Sequence, residues 1–471
     1  MRTLGALLLL LGASPAVAET ACAGLTGVAL DKARVTGAEV ITSLDLGSRV
    51  VPLAAPACRV LITATPTADS DIRIALVVPQ GAAWNGKFAQ VGNGGFAGKI
   101  LWGSVYQQLA KGYAVAATDN GHQDDDGASA KWALGHPEKV VDFGWRAVKL
   151  TTDHAQAVLA AHRGAPAKRY FIGCSDGGRE ALMTAQRFPQ DFDGIVAGAP
   201  AWPWTRMVGT GALVVKQSLL PGRVLPPAKL PALQAAALKA CGEGQSYVPN
   251  PRACRFDPGV LACAGAESDA CLTPGQVTTA RMIYAGITDP VTGKPSPGLM
   301  PGAEALPGSW AYWGRAIEPG DRADATSAGF PWNYMAYLVR EDPTLDLASV
   351  TEADVRAGFK RWRGTLDAES ADLSAFKARG GKLIGFHGWN DPAIPPLLTR
   401  QYFDMVAASM GDYSDFARLF MVPGMLHCTG GDAPVGVDWT ALLEAWVERG
   451  DAPAAVTARG GDGRSQVVRA E

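Results

Sequence analysis

The chain has 471 residues, of which 48% are hydrophobic and 19% are charged, and its formal net charge is −2. This composition excludes a disordered chain, and the length suits one elaborated domain or a core with a sizeable insertion. The charge balance offers no basic field for nucleic acid, so we expect a small-molecule substrate and no nucleic-acid partner.

The N-terminus has the pattern of a secretory signal peptide. Arg2 supplies a short positive region, residues 4–11 are apolar, and Ala16-Val17-Ala18 is a small-residue cleavage site before Glu19. The apolar run is too short to span a bilayer, and no later stretch reaches about 18 uninterrupted apolar residues. We therefore predict removal of residues 1–18, no membrane contact, and a secreted or periplasmic mature chain.

Residues 19–200 alternate strand-like and helix-like segments, which is typical of a largely parallel sheet covered by helices. In chain order we predict strands at 73–78, 88–91 and 113–117, a helix at 141–163, a strand at 169–172, a helix at about 177–188 and a strand at 194–197. The first helix has a periodic apolar face formed by Phe143, Ala147, Leu150, His154, Ala157, Val158 and Ala161.

After Pro200 the alternation disappears, and Trp, Pro, Gly and four cysteines accumulate until about residue 382. The pattern then resumes with a strand at 382–387, a helix after Pro396, a strand at 417–422 and a helix at 439–449. We predict an α/β core formed by residues 19–200 and 366–471, interrupted by a lid insertion at 201–365.

A G-x-S-x-G motif at residues 173–177 stands between a predicted strand and a predicted helix. A serine on such a turn is strained, and Gly173 and Gly177 avoid a collision of side chains there. The turn presents Ser175 Oγ at the carboxyl edge of the sheet, where the first helical amide, that of Asp176, can stabilise an oxyanion. This context predicts an α/β-hydrolase core with Ser175 as nucleophile; a purely structural glycine turn is the alternative.

This fold supplies the partners of the serine in the chain order acid, then histidine. Asp391 follows a predicted strand, although Asn390-Asp391-Pro392 can also be read as a simple turn. His427 follows the next predicted strand and remains the best candidate for the base. The other histidines fit worse, because His154 and His162 lie in a helix pattern, His122 and His136 precede the nucleophile, and His387 precedes the acid.

A glycine-rich loop at residues 91–98 follows an early predicted strand, where the second oxyanion donor is expected. Glycine lets a backbone amide approach the substrate, and Gly95 is the first choice, with Gly94 as the neighbouring possibility. A dinucleotide-binding loop is the rival, but G-x-G-x-x-G is not met and no acidic residue ends a second strand.

Two cysteines flank the proposed nucleophile and base. Cys174 precedes Ser175 and Cys428 follows His427, so a hydrogen bond between the serine and the histidine would bring the two cysteines close enough for a disulfide. Two unpaired cysteines are the alternative. The pairing of the other six stays open at this point. We expect no metal site, because the chain has no C-x-x-C motif and no histidine pair at ligand spacing.

These residues resemble the tannase and feruloyl esterase family, which also includes hydrolases of mono(2-hydroxyethyl) terephthalate. The resemblance rests on residues 173–179, on residues 388–391, on His427-Cys428 and on the place of the lid. It implies Ser175, Asp391 and His427 as the catalytic triad, and the disulfides Cys174–Cys428, Cys22–Cys58, Cys241–Cys254 and Cys263–Cys271.

The chain departs from the family where members usually have an Asp-rich calcium loop after the cysteine matched by Cys241. Residues 242–250 contain one carboxylate, that of Glu243. Calcium needs several oxygen ligands. We therefore expect that the calcium site is lost and that no cofactor is used.

The expected activity is hydrolysis of a small aromatic ester through an acyl-enzyme, with galloyl, feruloyl and terephthaloyl esters unranked. Ile394, just after the acid, is expected in the acyl pocket. The lid aromatics either stack on substrate or form the core of the lid: Trp310, Tyr312, Trp313, Phe330, Trp332 and Tyr334. The alternatives are an exported serine peptidase with the same triad and a non-catalytic binding protein on this scaffold.

Overall fold

The computed structural model describes residues 20–317 and 329–471. The predicted signal peptide, residues 1–18, lies outside the described residues. The described strands are β1 (Ala33–Asp45), β2 (Val50–Ala64), β3 (Ile72–Pro79), β4 (Lys87–Val91), β5 (Ala114–Thr118), β6 (Lys168–Cys174), β7 (Gly194–Gly198), β8 (Ile287–Thr288), β9 (Pro295–Ser296), β10 (Lys382–Gly388), β11 (Ala417–Val422), β12 (Ala455–Arg459) and β13 (Ser465–Arg469).

The described helices are α1 (Trp102–Leu109), α2 (Pro137–Val141), α3 (Ala147–Arg163), α4 (Asp176–Arg187), α5 (Trp204–Ser218), α6 (Leu230–Cys241), α7 (Pro274–Ala285), α8 (Gly329–Asn333), α9 (Glu352–Leu366), α10 (Ser374–Ala378), α11 (Pro396–Met410) and α12 (Trp439–Arg449). Two π-helical segments, Asp142–Arg146 and Tyr334–Val339, follow α2 and α8 directly. No helix in the described part of the chain is long and apolar enough to cross a membrane.

The main sheet has the strand order β1-β2-β3-β5-β4-β6-β7-β10-β11. The pairs from β1 to β5 are antiparallel, and all pairs from β5 to β11 are parallel. Every residue of β5 and β7 is buried, as expected for parallel strands covered by helices on both faces. The predicted α/β-hydrolase core is therefore confirmed, and the carboxyl ends of β4, β6, β10 and β11 lie along one edge.

The helix predicted at residues 141–163 is interrupted. It begins as α2 at Pro137, passes through the π-helical segment and continues as α3. The extra residue of a π-helical turn shifts the faces of the helix. Ala157, predicted on the apolar face, is exposed, whereas Ala155 and Leu159 are fully buried. Strands β1, β2, β12 and β13 were not predicted.

The segment between β7 and β10 is mainly helical in its described part. Helices α6 and α7 and the loops around them share a separate hydrophobic cluster, formed by Leu225, Leu230, Leu233, Leu272, Val277, Ala280, Ile283, Leu299, Trp310 and Ala316. Helices α5 and α9 instead contribute Trp204, Val215 and Val355 to the main core. The lid therefore has a small hydrophobic core of its own around α6 and α7, whereas α5 and α9 pack against the sheet domain.

Four disulfides cross-link the chain. Their Cα atoms lie 5.7 Å apart in Cys22–Cys58, 6.0 Å in Cys174–Cys428, 5.4 Å in Cys241–Cys254 and 5.0 Å in Cys263–Cys271. These are the pairs that the family resemblance implies. The last two close loops of the lid, whereas the first ties the N-terminal 3₁₀ turn to β2.

Candidate active site

Ser175 occupies a sharp turn between β6 and α4. Its backbone has φ of +66° and ψ of −123°, a conformation that costs a non-glycine residue energy and is typical of a strand-to-helix nucleophile turn. A Cβ atom on Gly173 would lie 2.0 Å from the carbonyl oxygen of Gly177. Gly173 is therefore required because α4 passes closely over it, whereas a Cβ atom on Gly177 would lie 2.7 Å from the carbonyl oxygen of Asn93 in the glycine-rich loop.

A continuous row of hydrogen bonds joins Ser175, His427 and Asp391. Ser175 Oγ lies 2.8 Å from His427 Nε2, and His427 Nδ1 lies 2.7 Å from Asp391 Oδ2. The other oxygen, Asp391 Oδ1, accepts hydrogen bonds from the amides of Ala393 and Ile394 at 2.7 and 3.0 Å. The acid therefore has one oxygen fixed by its own loop and one directed at the histidine.

A second histidine also contacts the acid. His387 Nε2 lies 3.0 Å from Asp391 Oδ2 and 3.2 Å from the carbonyl oxygen of Ile394, and His387 Nδ1 lies 2.7 Å from Thr399 Oγ1. Because both neighbours of Nε2 are acceptors, Nε2 carries the hydrogen and Nδ1 accepts from the hydroxyl of Thr399. Because His387 precedes Asp391 in the chain, the sequence did not favour it as the base. The sequence signal for its contact with Asp391 was its position at the end of β10, four residues before the acid.

Asp391 is fully buried between these two histidines. Burial alone would raise its pKa, but the charge of His427 and hydrogen bonds from both imidazoles hold the pKa of Asp391 well below its usual range. The carboxylate is therefore ionised at neutral pH. An ionised acid at this place favours the tautomer of His427 in which Nδ1 is protonated and Nε2 can accept a proton.

The glycine-rich loop after β4 is attached to the start of α4. The amide of Asn93 donates to Glu180 Oε2 at 2.9 Å, and the amide of Gly177 donates to the carbonyl of Asn93 at 2.8 Å. The amide of Gly94 donates to Asn93 Oδ1, also at 2.9 Å. Gly95, which adopts φ of +61°, is therefore the better candidate donor toward the cavity.

Asp176 begins α4, so its amide has no partner within the helix. Its side chain is buried and bound to Arg179, with 2.6 Å between Oδ1 and Nε. That ion pair turns the carboxylate toward the protein interior, and Asp176 and Gly95 both line the same cavity as Ser175. The positions expected for the two oxyanion donors therefore adjoin the serine.

The disulfide Cys174–Cys428 joins the two loops that hold the serine and the histidine. It spans 254 residues of sequence, and it links the residue before Ser175 to the residue after His427. Cys428 adopts φ of +63°, so both loops contain a non-glycine residue in the left-handed region. The bridge therefore restrains two strained segments relative to each other.

The cavity above Ser175 has a volume of about 1270 Å³. Of the lid aromatics, Tyr312, Trp313 and Phe330 line it, whereas Trp310, Trp332 and Tyr334 are buried in hydrophobic clusters. The rings of Trp313 and Phe330 are stacked with centroids 5.9 Å apart, and Trp313 also contacts the ring of His427 edge-on at 5.0 Å. Ile394 lines the cavity as well.

Arg315 connects the lid to the acid loop, a role that the sequence did not indicate. Its Nε and one terminal nitrogen donate to the carbonyls of Pro392 and Ala393, each at 3.0 Å. Burial lowers the pKa of Arg315 to about 10, so the guanidinium stays charged at neutral pH. The lid is therefore fixed to the loop that positions Asp391.

The loop without the usual calcium ligands is closed by the Cys241–Cys254 disulfide, and Glu243 is exposed there. Within residues 20–317 and 329–471, no group of three or more His, Cys, Asp or Glu side chains is arranged to hold a metal ion.

The sheet order, the serine on a strand-to-helix turn and the acid and histidine on two later strand ends define an α/β-hydrolase. The chain belongs to the tannase and feruloyl esterase family, whose sequence profile matches residues 58–471. It is therefore a carboxylic ester hydrolase of that family, as the motif residues predicted.

Two relatives and one solved structure illustrate this membership. The chain is 38% identical to an uncharacterized esterase of Xanthomonas campestris pv. campestris, over 97% of this chain and 87% of that protein. It is 33% identical to the mono(2-hydroxyethyl) terephthalate hydrolase of Piscinibacter sakaiensis, over 83% of this chain and 75% of that protein. The crystal structure of feruloyl esterase B from Aspergillus oryzae has the same fold, with a TM-score of 0.85, 23% identity and 95% of each chain covered.

Proposed function

We propose that this protein is an exported serine esterase that hydrolyses esters of aromatic acids, with Ser175 as nucleophile, His427 as base and Asp391 as its orienting acid. The observation that carries the proposal is the row of hydrogen bonds from Ser175 Oγ through His427 to Asp391, at 2.8 and 2.7 Å. These distances are those that proton transfer from a serine to a histidine requires.

In the proposed reaction His427 takes the proton of Ser175 as Oγ attacks the ester carbonyl carbon. The resulting oxyanion accepts hydrogen bonds from the amides of Gly95 and Asp176. The protonated His427 then gives its proton to the leaving alcohol, and the acyl group remains on Ser175. Water activated by the same histidine releases the acid. No cofactor takes part in these steps.

The aromatic substrate class is supported by the cavity wall. Trp313 and Phe330 present stacked rings beside the histidine, and aromatic surfaces favour planar apolar groups. Relatives named as feruloyl esterases and as a terephthalate ester hydrolase fit the same class. Export is supported by the four disulfides, since such bonds persist in oxidising compartments.

The first prediction tests the nucleophile. Ser175→Ala should lower ester turnover by about 10⁴-fold to 10⁶-fold and leave the fold intact, because it removes only the attacking oxygen. Ser104→Ala, on helix α1 and outside the cavity, is the matched control and should keep full turnover. A Ser175→Ala enzyme with a tenth of the wild-type rate would place the nucleophile elsewhere.

The substrate class is tested with methyl esters of gallic, ferulic and terephthalic acid beside an acetyl ester and a peptide amide. We expect the aromatic acid esters to have the highest kcat/KM. A peptide amide that is cleaved faster than every ester would favour a peptidase instead. Binding of these esters without any turnover would favour a non-catalytic protein.

A further inference from the structure

One face of helix α5 lines the cavity along most of the helix. Apart from Thr210, the lining residues of α5 are apolar and recur at the spacing of one helical face: Trp204, Met207, Val208, Gly211, Val214 and Val215. This face begins beside the nucleophile, because the amide of Ala201, three residues before the helix, donates to the carbonyl of Ser175. At a rise of 1.5 Å per residue, it extends about 16 Å away from that point.

The lining face is apolar although part of it is open to the cavity. Met207, Gly211 and Val214 are only half-buried, whereas Val208 and Val215 beside them are buried. A surface helix usually has polar residues on the face that is not packed against the core. An apolar stripe that faces an enclosed space is typical of a binding wall for an apolar group.

A second group of lining residues, in the lid, is also aliphatic. It includes Met282 and Ile283 of α7, together with Ile287 and Leu299. The hydroxyl of Thr210 is already used by the carbonyls of Arg206 and Met207, at 2.8 and 3.1 Å. This arm of the cavity therefore offers mainly dispersion and hydrophobic contacts.

The charged side chains among the described lining residues belong to the other end. Asp176 begins the nucleophile helix and Arg315 is bound to the acid loop. Asp126 and Lys131 belong to the loop whose Gly127 contacts Gly95 and Phe96. The cavity is therefore divided into a polar catalytic end and an aliphatic arm.

The cavity volume exceeds what one small aromatic ester needs. At about 1270 Å³ it lies above the range of roughly 300–1,000 Å³ that drug-sized ligands occupy. An aromatic acyl group packed against the rings of Trp313 and Phe330 would leave the arm along α5 empty. A substrate that fills both parts must carry a second, elongated apolar group.

We propose that the arm along α5 binds an unbranched alkyl chain of the alcohol part of the ester, so that the preferred substrates join an aromatic acid to a medium-length aliphatic alcohol. This assignment rests on the proposed function, because it places the aromatic acyl group at Trp313 and Phe330. Burying a methylene group raises kcat/KM by about fourfold when that contact is kept in the transition state.

The experiment measures kcat/KM for methyl, butyl, octyl and dodecyl ferulates, all below their critical micelle concentrations. We expect a rise of about 30-fold or more from methyl to octyl, since several methylenes become buried, and then a plateau where the chain outgrows the arm. The parallel series of methyl esters of butanoic, octanoic and dodecanoic acids should stay flat.

Two matched variants locate the chain. Val214→Trp fills the middle of the arm and should abolish the gain beyond butyl, so that octyl ferulate is hydrolysed no faster than butyl ferulate. Gln217→Trp places the same side chain on the exposed side of α5 and should keep the full gain.

A flat alkyl ferulate series in the wild-type enzyme overturns the inference without any variant, provided that methyl ferulate is hydrolysed. Failure to hydrolyse the methyl esters of ferulic, gallic and terephthalic acid overturns the proposed function instead; if only gallate or terephthalate is accepted, the alkyl series is made with that acid. A gain confined to the alkanoic acid series assigns the arm to acyl chains and contradicts the proposal. Equal profiles for the Val214→Trp and Gln217→Trp enzymes also contradict it.

Discussion

The disulfide between Cys174 and Cys428 should matter more for catalysis than any bridge in the lid. The active-site bridge is removed by Cys174→Ala together with Cys428→Ala, and the matched control removes a lid bridge by Cys263→Ala together with Cys271→Ala. Both double variants remove one bridge, but the first bridge spans 254 residues and the second spans 8. Only the first joins the loops that contain Ser175 and His427.

The chain-entropy model gives the stability part of the effect. Closing a loop of 254 residues is worth about 5 kcal/mol, and closing the short loop about 2–3 kcal/mol. Removal of the bridge also releases Ser175 and Cys428, whose left-handed conformations cost about 1–3 kcal/mol each. We expect these loops to relax, which lengthens the 2.8 Å contact between Ser175 Oγ and His427 Nε2.

A misplacement of about 1 Å can cost 10²-fold in rate, so kcat/KM of the Cys174→Ala, Cys428→Ala enzyme should fall by about that factor. The control should remain close to the wild-type rate. Melting temperatures come first, and the kinetics are then measured well below the melting temperature of each variant. If the folded Cys174→Ala, Cys428→Ala enzyme has the wild-type kcat/KM, the bridge does not position Ser175 and His427. An equal loss of kcat/KM in the control would contradict the prediction as well.

Three further predictions concern the hydrogen bond that supports His387, the pH dependence of stability, and calcium. Thr399→Val removes the hydroxyl that donates to His387, the histidine that contacts Asp391. It should lower kcat about tenfold with KM unchanged, because a tenfold change corresponds to the free energy of about one buried hydrogen bond. Thr399→Ser should retain the wild-type kcat. Burial raises the pKa of Asp367 to about 7, so the folded state keeps a proton that the unfolded state loses above about pH 4. The free energy of unfolding should therefore fall as the pH rises from about 4 to about 7. In thermal melts, the melting temperature of Asp367→Asn should depend less on pH. Chelator and millimolar calcium should both leave the melting temperature unchanged, because residues 242–250 offer one carboxylate; a calcium-dependent rise of several degrees would contradict this.

The strands and helices that position the site could be predicted because their patterns are local. Strand β11 and helix α12 have the predicted bounds, and β6 and α4 differ from prediction by a few residues. Buried parallel strands read as short apolar runs between turn signals. Strand β1 has no such run, and Val40 in it is 51% exposed, whereas β2 contains the apolar residues 60–62, which the prediction missed.

The supporting residues of the site could not be predicted in the same way. Asp391 and His427 follow from strand ends and chain order, which are properties of the sequence. The contact of His387 with Asp391 depends on how the acid loop folds back over β10, and the contact of Arg315 depends on the path of the lid. The first contact is local, and its spacing of four residues was a weak sequence signal; the second is a tertiary contact without a sequence signal.

The reaction and the choice of ester depend on different kinds of structure in this protein. Around Ser175, backbone segments approach each other closely. A Cβ atom on Gly173 would lie 2.0 Å from the carbonyl oxygen of Gly177, and a Cβ atom on Gly178 would lie 2.1 Å from the carbonyl oxygen of Gly198. Side-chain volume cannot vary there without moving Ser175. Along α5, by contrast, Met207 and Val214 are half-buried side chains that line the cavity, so substitution there should change the shape of the cavity more than the position of Ser175. Family membership therefore identifies ester hydrolysis, whereas the substrate must be inferred from the lid side chains of this particular chain.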